Sequence, residues 1–498
     1  MIESAKSAHH GQSYASSVAL GRSWCTAGIF LHCAIFDLLM FSNHSNSGRR
    51  LWVILGLASV VAVALAVSAG AGSSLPNLMG FPDASGVMRT YSTANGIDLS
   101  NPFFASLGTN GRSCSTCHQL RDAMSVSAAH IRERFEASAG LDPIFRTVDG
   151  SNCPSADVST LDARRLAYSQ LLNKGLIRVG MAMPTNAEFS LVGIDDPYNC
   201  ASAGNLSLYR RPLPATNLRY LTTVMWDGRE SVIGNTLAQN LSNQIADATM
   251  GHAQAIAAPS AAQTQAILDF EMALSSAQAQ DNGAGTLNDR GAQGGPRALS
   301  QQAFYLGVND SLGGDPQGHA FNAKIFNLFD AWESAGYHGE QHRAAVARGQ
   351  ELFNSFPIAI TGVRGLNDKL GIATISGTCG TCHDTPNVGN HSFPLPIDIG
   401  IAAADRRTLD MPLYTFRCNA TGETFQVTDP GRALVTGKCS DIAKFKGPIL
   451  RGLAARAPYF HNGSAATLSD ALDFYQTRFN LALTPQQKAD LVAFLNSL

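Results

Sequence analysis

The chain has 498 residues, of which only 15% are charged, and a net charge of −2 at pH 7. A balance so close to neutral offers no basic face for nucleic acid and no charge run for a polyanionic partner.

The first element is a leader. Arg49 and Arg50 precede an apolar run at 51–66, and small residues follow over 68–74. A charged start, an apolar stretch and a small-residue zone read as an export signal. The immediate small residues favour cleavage; uncleaved, the run would be a single N-terminal anchor. Residues 1–40 sit oddly before such a leader, with Cys25, Cys33 and a second apolar patch at 27–41. Met40 stands just ahead of the better signal, which suits a start downstream of Met1. Residues 1–72 are therefore set aside as leader, and the remainder is long enough for two or three domains.

Two copies of one pattern follow: Cys114-Ser-Thr-Cys117-His118 and Cys379-Gly-Thr-Cys382-His383. Each reads as a covalent attachment site for c-type haem, the two thiols adding to the porphyrin vinyl groups and the histidine ligating iron. A zinc site needs four ligands, and the two Cys pairs lie far apart with a histidine each, so shared zinc is the weaker reading. Such haems are attached outside the cytoplasm, which agrees with the leader and places the protein in the periplasm. Cys153, Cys200, Cys418 and Cys439 remain, an even number that reads as disulfides there. Three connectivities are open. The local pairs Cys153–Cys200 and Cys418–Cys439 are favoured because the alternatives tie the two haem segments together.

Between and after the motifs the signals are mostly helical, with long Gly-, Asn- and Pro-rich connections. The stretch 281–317 opens with DNGAGTLNDRGAQGGP and reads first as a mobile surface loop, second as a wall or lid over a haem. An amphipathic run at 342–353 (HRAAVARGQELF) precedes the second motif. The clearest helix is 484–498, capped by Thr484 with Pro485 in the first position and Leu491, Val492, Leu495 and Leu498 on one face. Helix, haem motif, loops and final helix is the order of a small cytochrome c domain. The expected fold is mainly α, with few strands: an N-terminal haem domain at 75–341 carrying insertions and a C-terminal cytochrome c domain at 342–498.

Further motifs resemble the bacterial di-haem cytochrome c peroxidases and their MauG-type relatives. Met225-Trp226-Asp227-Gly228-Arg229 is similar to the family's Trp-Asp-Gly-Arg segment, and Ala457-Pro458-Tyr459-Phe460-His461-Asn462-Gly463 to its Ala-Pro-Tyr-Phe-His-Asp-Gly loop, with Asn462 for Asp. The likeness covers 100–135, 215–275 and 342–498 and is poor over 150–210 and 280–340. It implies that Trp226 relays electrons between the haems, that His461 lies at the cofactor, and that the C-terminal haem has an axial side chain 14 residues after that histidine. This is Tyr475, as in MauG, where most peroxidases have Met; a phenolate oxygen favours ferric iron more than a thioether does. Met411 is a rival ligand. Each of these aromatic or Met residues also reads simply as core.

In the N-terminal pocket the resemblance places a distal Gln at Gln239, a Glu at Thr249 and a Met at Met250. Peroxide cleavage needs a proton carried between its oxygens, and a threonine hydroxyl does this poorly. His252 is the substitute if a helix turn brings it to the same face, and His130 is a candidate resting-state ligand; a structural role fits both. Arg211 and Arg456 stand where the family holds a calcium ion, so no calcium is expected; the arginines suit haem propionates instead.

The leading expectation is an exported di-haem oxidoreductase that reacts peroxide or oxygen at the His118 haem. Electrons come from a small periplasmic donor protein through the His383 haem. A haem dioxygenase of the rubber-oxygenase type needs no carboxylate and is the enzymatic alternative. A di-haem electron carrier is the non-enzymatic one.

Overall fold

Side-chain caps decide where the long helices begin. The computed structural model describes residues 74–333 and 340–498. Its six longest helices are α1 (Ala128–Ser138), α2 (Leu237–Gly251), α3 (Ala261–Ala273), α4 (Gln341–Ser355), α5 (Leu468–Phe479) and α6 (Pro485–Asn496). Ser127, Thr236, Ser260, Thr467 and Thr484 each accept from a backbone N–H in the first turn, so five of the six start on a Ser or Thr cap. The helices expected at 342–353 and 484–498 are α4 and α6. The leader, the patch at 27–41 and Met40 lie outside the described residues. Among the described residues no helix is long and apolar enough to cross a membrane.

α4 and α6 cross closely around Gly349, which is why this position carries no side chain. A Cβ there would lie 2.0 Å from the Asp490 carbonyl oxygen and 2.6 Å from Phe494 Cβ. Phe326, Phe329, Phe353 and Phe494 form the aromatic centre of the surrounding core. Gly349→Ala is expected to force the helices apart and cost about 1–3 kcal/mol, read as a lowered denaturation midpoint at unchanged haem content. An unchanged midpoint would mean that the crossing is looser than drawn.

Helix outweighs strand, at 30% against 17%, but the expectation of few strands undercounts them. Thirteen short strands form five small sheets among the described residues. Each is at most eight residues long, and several pair across large sequence gaps, which hides them from a reading of local alternation. Phe189–Asp195, inside the segment of poor family likeness, pairs antiparallel with Leu413–Cys418, which also pairs with Thr424–Val427. Gly86–Ser92 pairs with Leu274–Asp281. The segment 150–210 thus contributes a strand to a sheet shared with the C-terminal half.

The stretch 281–317 is packed rather than a free surface loop. Leu287 and Leu299 are buried, Asn309 Nδ2 donates to the Asp384 carbonyl and Ser311 Oγ to that of Thr381. It therefore packs as a wall against the second Cys-x-x-Cys-His motif. Cys153 bonds to Cys200 and Cys418 to Cys439, the local pairing.

Candidate cofactor sites

The two Cys-x-x-Cys-His motifs fold the same way. Each starts on a single 3-10 turn, Cys114–Thr116 or Cys379–Thr381, closed by reciprocal bonds between a Ser or Thr cap and the third residue of the turn. In each the His backbone N–H donates to the carbonyl of the first cysteine. The His118 ring uses Nδ1 on the Met124 carbonyl at 3.0 Å, and the His383 ring uses Nδ1 on the Gly389 carbonyl at 2.6 Å. Fixing Nδ1 on a backbone oxygen leaves Nε2 as the free ligand atom, the arrangement of a metal-bound histidine. Burial lowers both histidine pKa values, keeping the rings neutral, and pushes the Cys114, Cys379 and Cys382 thiols up to about 12. All four motif cysteines are free. No cluster of three or more His, Cys, Asp or Glu ligands forms around them among the described residues, so shared zinc finds no site there. The motifs fit haem.

Around His118 a mostly apolar cavity opens. Cys114, Cys117 and His118 line it with Trp226, Thr249 and His252. The Thr249 hydroxyl donates back to the Ile245 carbonyl at 2.8 Å, within its own helix. Gln239 is not brought here. It is exposed and spends its carboxamide oxygen on Thr236 in the capping box of α2, while Gln244, farther along that helix, lines the cavity. Met250 is exposed. His252 does reach the cavity, and its Nδ1 meets the Asp149 carboxylate. Asp149 is buried and also bonded to Arg112. Burial raises its pKa, yet His252 and Arg112 outweigh that and hold it below the usual carboxylate range. His130 is instead tied to Asp122.

Glu271 also lines this cavity and was missed from the sequence. It is 6% exposed, its Oε2 has no partner, and burial raises its carboxyl pKa to about 8. A signal existed: Ile267, Glu271 and Leu274 share the inward face of a 3.6-residue period. Asp149 had none, because its partners lie 37 and 103 positions away.

Trp226 is buried beside the cavity, with Nε1 donating to the Arg211 carbonyl at 2.8 Å. Its ring meets that of His461 edge-on at 6.2 Å, and His461 stacks on Phe445 at 4.0 Å. His461 Nε2 is buried without a partner, and burial lowers the ring pKa to about 4. Tyr475 lies near Cys379 and Cys382. Burial first and then these two sulfurs raise its phenol pKa. The ring of Phe460, next to His461, is 6.2 Å from that of Tyr475. Aromatic side chains therefore run from the first cavity to the second motif. Met411 belongs elsewhere, packed with Leu176 and Tyr209 and accepting from Gln170 through sulfur.

Cations without carboxylate partners also face the first cavity. Arg451 Nε and Nη2 and Arg456 Nε are buried and unpartnered, and burial lowers both guanidinium pKa values to about 10 and that of Lys446 to about 7. Haem propionates would supply the missing anions. Arg211 is engaged differently: its guanidinium donates to the Val126, Lys174 and Arg456 carbonyls.

No family model matches the chain. It is 30% identical over 141 residues to cytochrome-c peroxidase IdrP2 of Denitromonas iodatirespirans, a match covering 26% of this chain and 38% of that protein. It is 29% identical over 123 residues to the cytochrome c551 peroxidase of Nitrosomonas europaea, covering 24% and 30%. To the cytochrome c peroxidase Ccp of Escherichia coli it is 35% identical over 124 residues, covering 24% and 22%. The chain spans about two fifths of the length of the first of these relatives. The crystal structure of a MauG-like protein associated with microbial copper homeostasis aligns at a TM-score of 0.35 with 16% identity, covering 80% of this chain and 86% of that one, a likeness too loose to bear on the fold. Over about a quarter of its length the chain thus shows weak homology to bacterial cytochrome c peroxidases.

Proposed function

We propose that this chain is an exported, periplasmic di-haem oxidoreductase of the peroxidase type. Two covalently attached haems would be held by Cys114, Cys117 and His118 in an N-terminal domain (75–341), and by Cys379, Cys382 and His383 in a C-terminal one (342–498). The observation that carries this reading is the duplicated motif geometry, each histidine anchored through Nδ1 with Nε2 free. Haem iron would supply the redox centre at which the peroxide O–O bond is broken.

The chain's own residues divide the remaining work. His118 and His383 would hold the iron through their rings, and Tyr475 would be a further ligand candidate at the second site. Trp226 lies against the first cavity and against His461, which suits a relay from a small donor protein's entry point at the second haem. Reducing peroxide to water takes two electrons and two protons. Two groups can hold protons in the cavity: His252, oriented by Asp149, and Glu271, neutral at pH 7 because of its burial. Asp149 is a positioning residue. The unpartnered arginines suit the propionates.

The test is a steady-state assay on purified protein with both haems attached, using a reduced small c-type cytochrome as donor. Peroxide-dependent oxidation of the donor is expected. Low-spin spectra in every redox state, with no response to CO or peroxide, would instead identify a carrier. The committed Thr249 hydroxyl and the misplaced Gln239 favour the oxygenase as second reading, and a stable oxygen complex with no peroxide turnover would decide for it. Thr249→Glu is expected to raise the rate of reaction with peroxide by about 10²-fold, the lower end of general acid–base effects. Stopped-flow mixing with peroxide reads it, and an unchanged rate would show that position 249 does not face the bound oxidant.

A further inference from the structure

Away from the His118 cavity, the wall segment and the stretch after the second motif enclose a buried polar cluster. Asp310, Asp384 and His391 are 4%, 0% and 6% exposed, and each presents a ligand atom within 4.8 Å of the others. No Lys or Arg forms an ion pair with either carboxylate among the described residues. Asp310 accepts only from the backbone N–H groups of Leu312 and Gly314, and Asp384 only from those of Ser311 and Ser392. Two buried carboxylates with one imidazole between them are costly to keep unless a cation joins them.

A second observation points the same way. His391 Nδ1 stands 2.7 Å from Asp384 Oδ2, yet neither ring nitrogen makes a well-directed hydrogen bond. Thr385 Oγ1, Asn390 Oδ1 and Ser392 Oγ, on the same short stretch and equally buried, are also without partners. Buried polar atoms are nearly always satisfied, so orphans concentrated over 385–392 mark a missing partner.

We propose that Asp310, Asp384 and His391 bind a divalent transition-metal ion of the Zn²⁺ or Mn²⁺ class. Two carboxylate oxygens and one imidazole nitrogen suit such ions, whereas Ca²⁺ takes an all-oxygen shell. The ion would neutralise both carboxylates and tie Asp310, on the wall, to Asp384, the residue after the haem ligand His383. The proposal is independent of the peroxidase reading.

The experiment uses full-length protein with both haems attached, stripped with chelator and titrated with Zn²⁺, Mn²⁺ or Ca²⁺ by calorimetry, with metal content by mass spectrometry. One Zn²⁺ or Mn²⁺ per chain beyond the haem iron is expected, together with a rise of several degrees in Tm. Asp310→Asn and His391→Gln should each weaken binding at least tenfold; two variants are used in case one fails to fold, with haem content as the check on folding. Binding of Ca²⁺ alone, no ion beyond the haem iron, or wild-type affinity in a folded variant would overturn the proposal.

Discussion

Replacing Cys114 and Cys117 together by Ser is expected to halve the haem content, from two per chain to one, and to drop peroxide turnover to background. The second motif should keep its haem because its support is separate. Cys379 packs with the α4–α6 core and with the small cluster around Ile360 and Leu366, while Cys114 and Cys117 pack in two other clusters. The N-terminal pocket has no such reserve. Emptied, it leaves Arg451, Arg456 and Lys446 facing apolar walls without anions, so stability should fall as well. Pyridine haemochrome spectra give the stoichiometry. Retention of two haems would remove the basis for the first site, and retention of turnover would move the chemistry to the second.

Arg210→Met should be the most destabilising single change outside the two Cys-x-x-Cys-His motifs, at about 3–5 kcal/mol. Arg210 is 2% exposed and bridges two buried carboxylates, Asp227 of the Trp-Asp-Gly-Arg turn and Asp429 of the C-terminal half. Removing it leaves Asp429 without an ion-pair partner among the described residues and Asp227 with Arg229 alone. Substituting all three (Arg210→Met with Asp227→Asn and Asp429→Asn) should cost less than Arg210→Met alone, which denaturant titration can establish.

The same bridge sets an acid limit. Burial would raise Asp227, but Arg210 and Arg229 outweigh it and hold the carboxyl at about 2; Asp429 is lowered by Arg210 against the same burial. Native values below the unfolded carboxylate value of about 3.9 mean that this stability is complete above that pH. It is lost as the pH falls toward 2. Wild-type stability should therefore drop steeply over that window, and an equally steep drop in Arg210→Met would assign the effect to other groups.

What the sequence made legible was local or paired by simple logic. The Cys-x-x-Cys-His turns, the helices ending the chain and the two disulfides all depend on short spacings or on motifs that hold their own geometry. Gln239 shows the limit: the resemblance put it near the pocket, but Thr236 three residues earlier offered a capping box and took it. Asp149 and Asp310 matter through partners far along the chain, and no period records such meetings. The strand from the 150–210 segment was hidden for the same reason, since its meaning lies in Leu413–Cys418.

The guanidinium of Arg211, seated among the Val126, Lys174 and Arg456 carbonyls, has a consequence for regulation. A positive charge carried by a side chain cannot be diluted away or chelated. The three backbone segments it joins are held by a cation that is part of the chain itself, and deprotonation of the guanidinium, whose pKa burial lowers to about 9, is what would remove it.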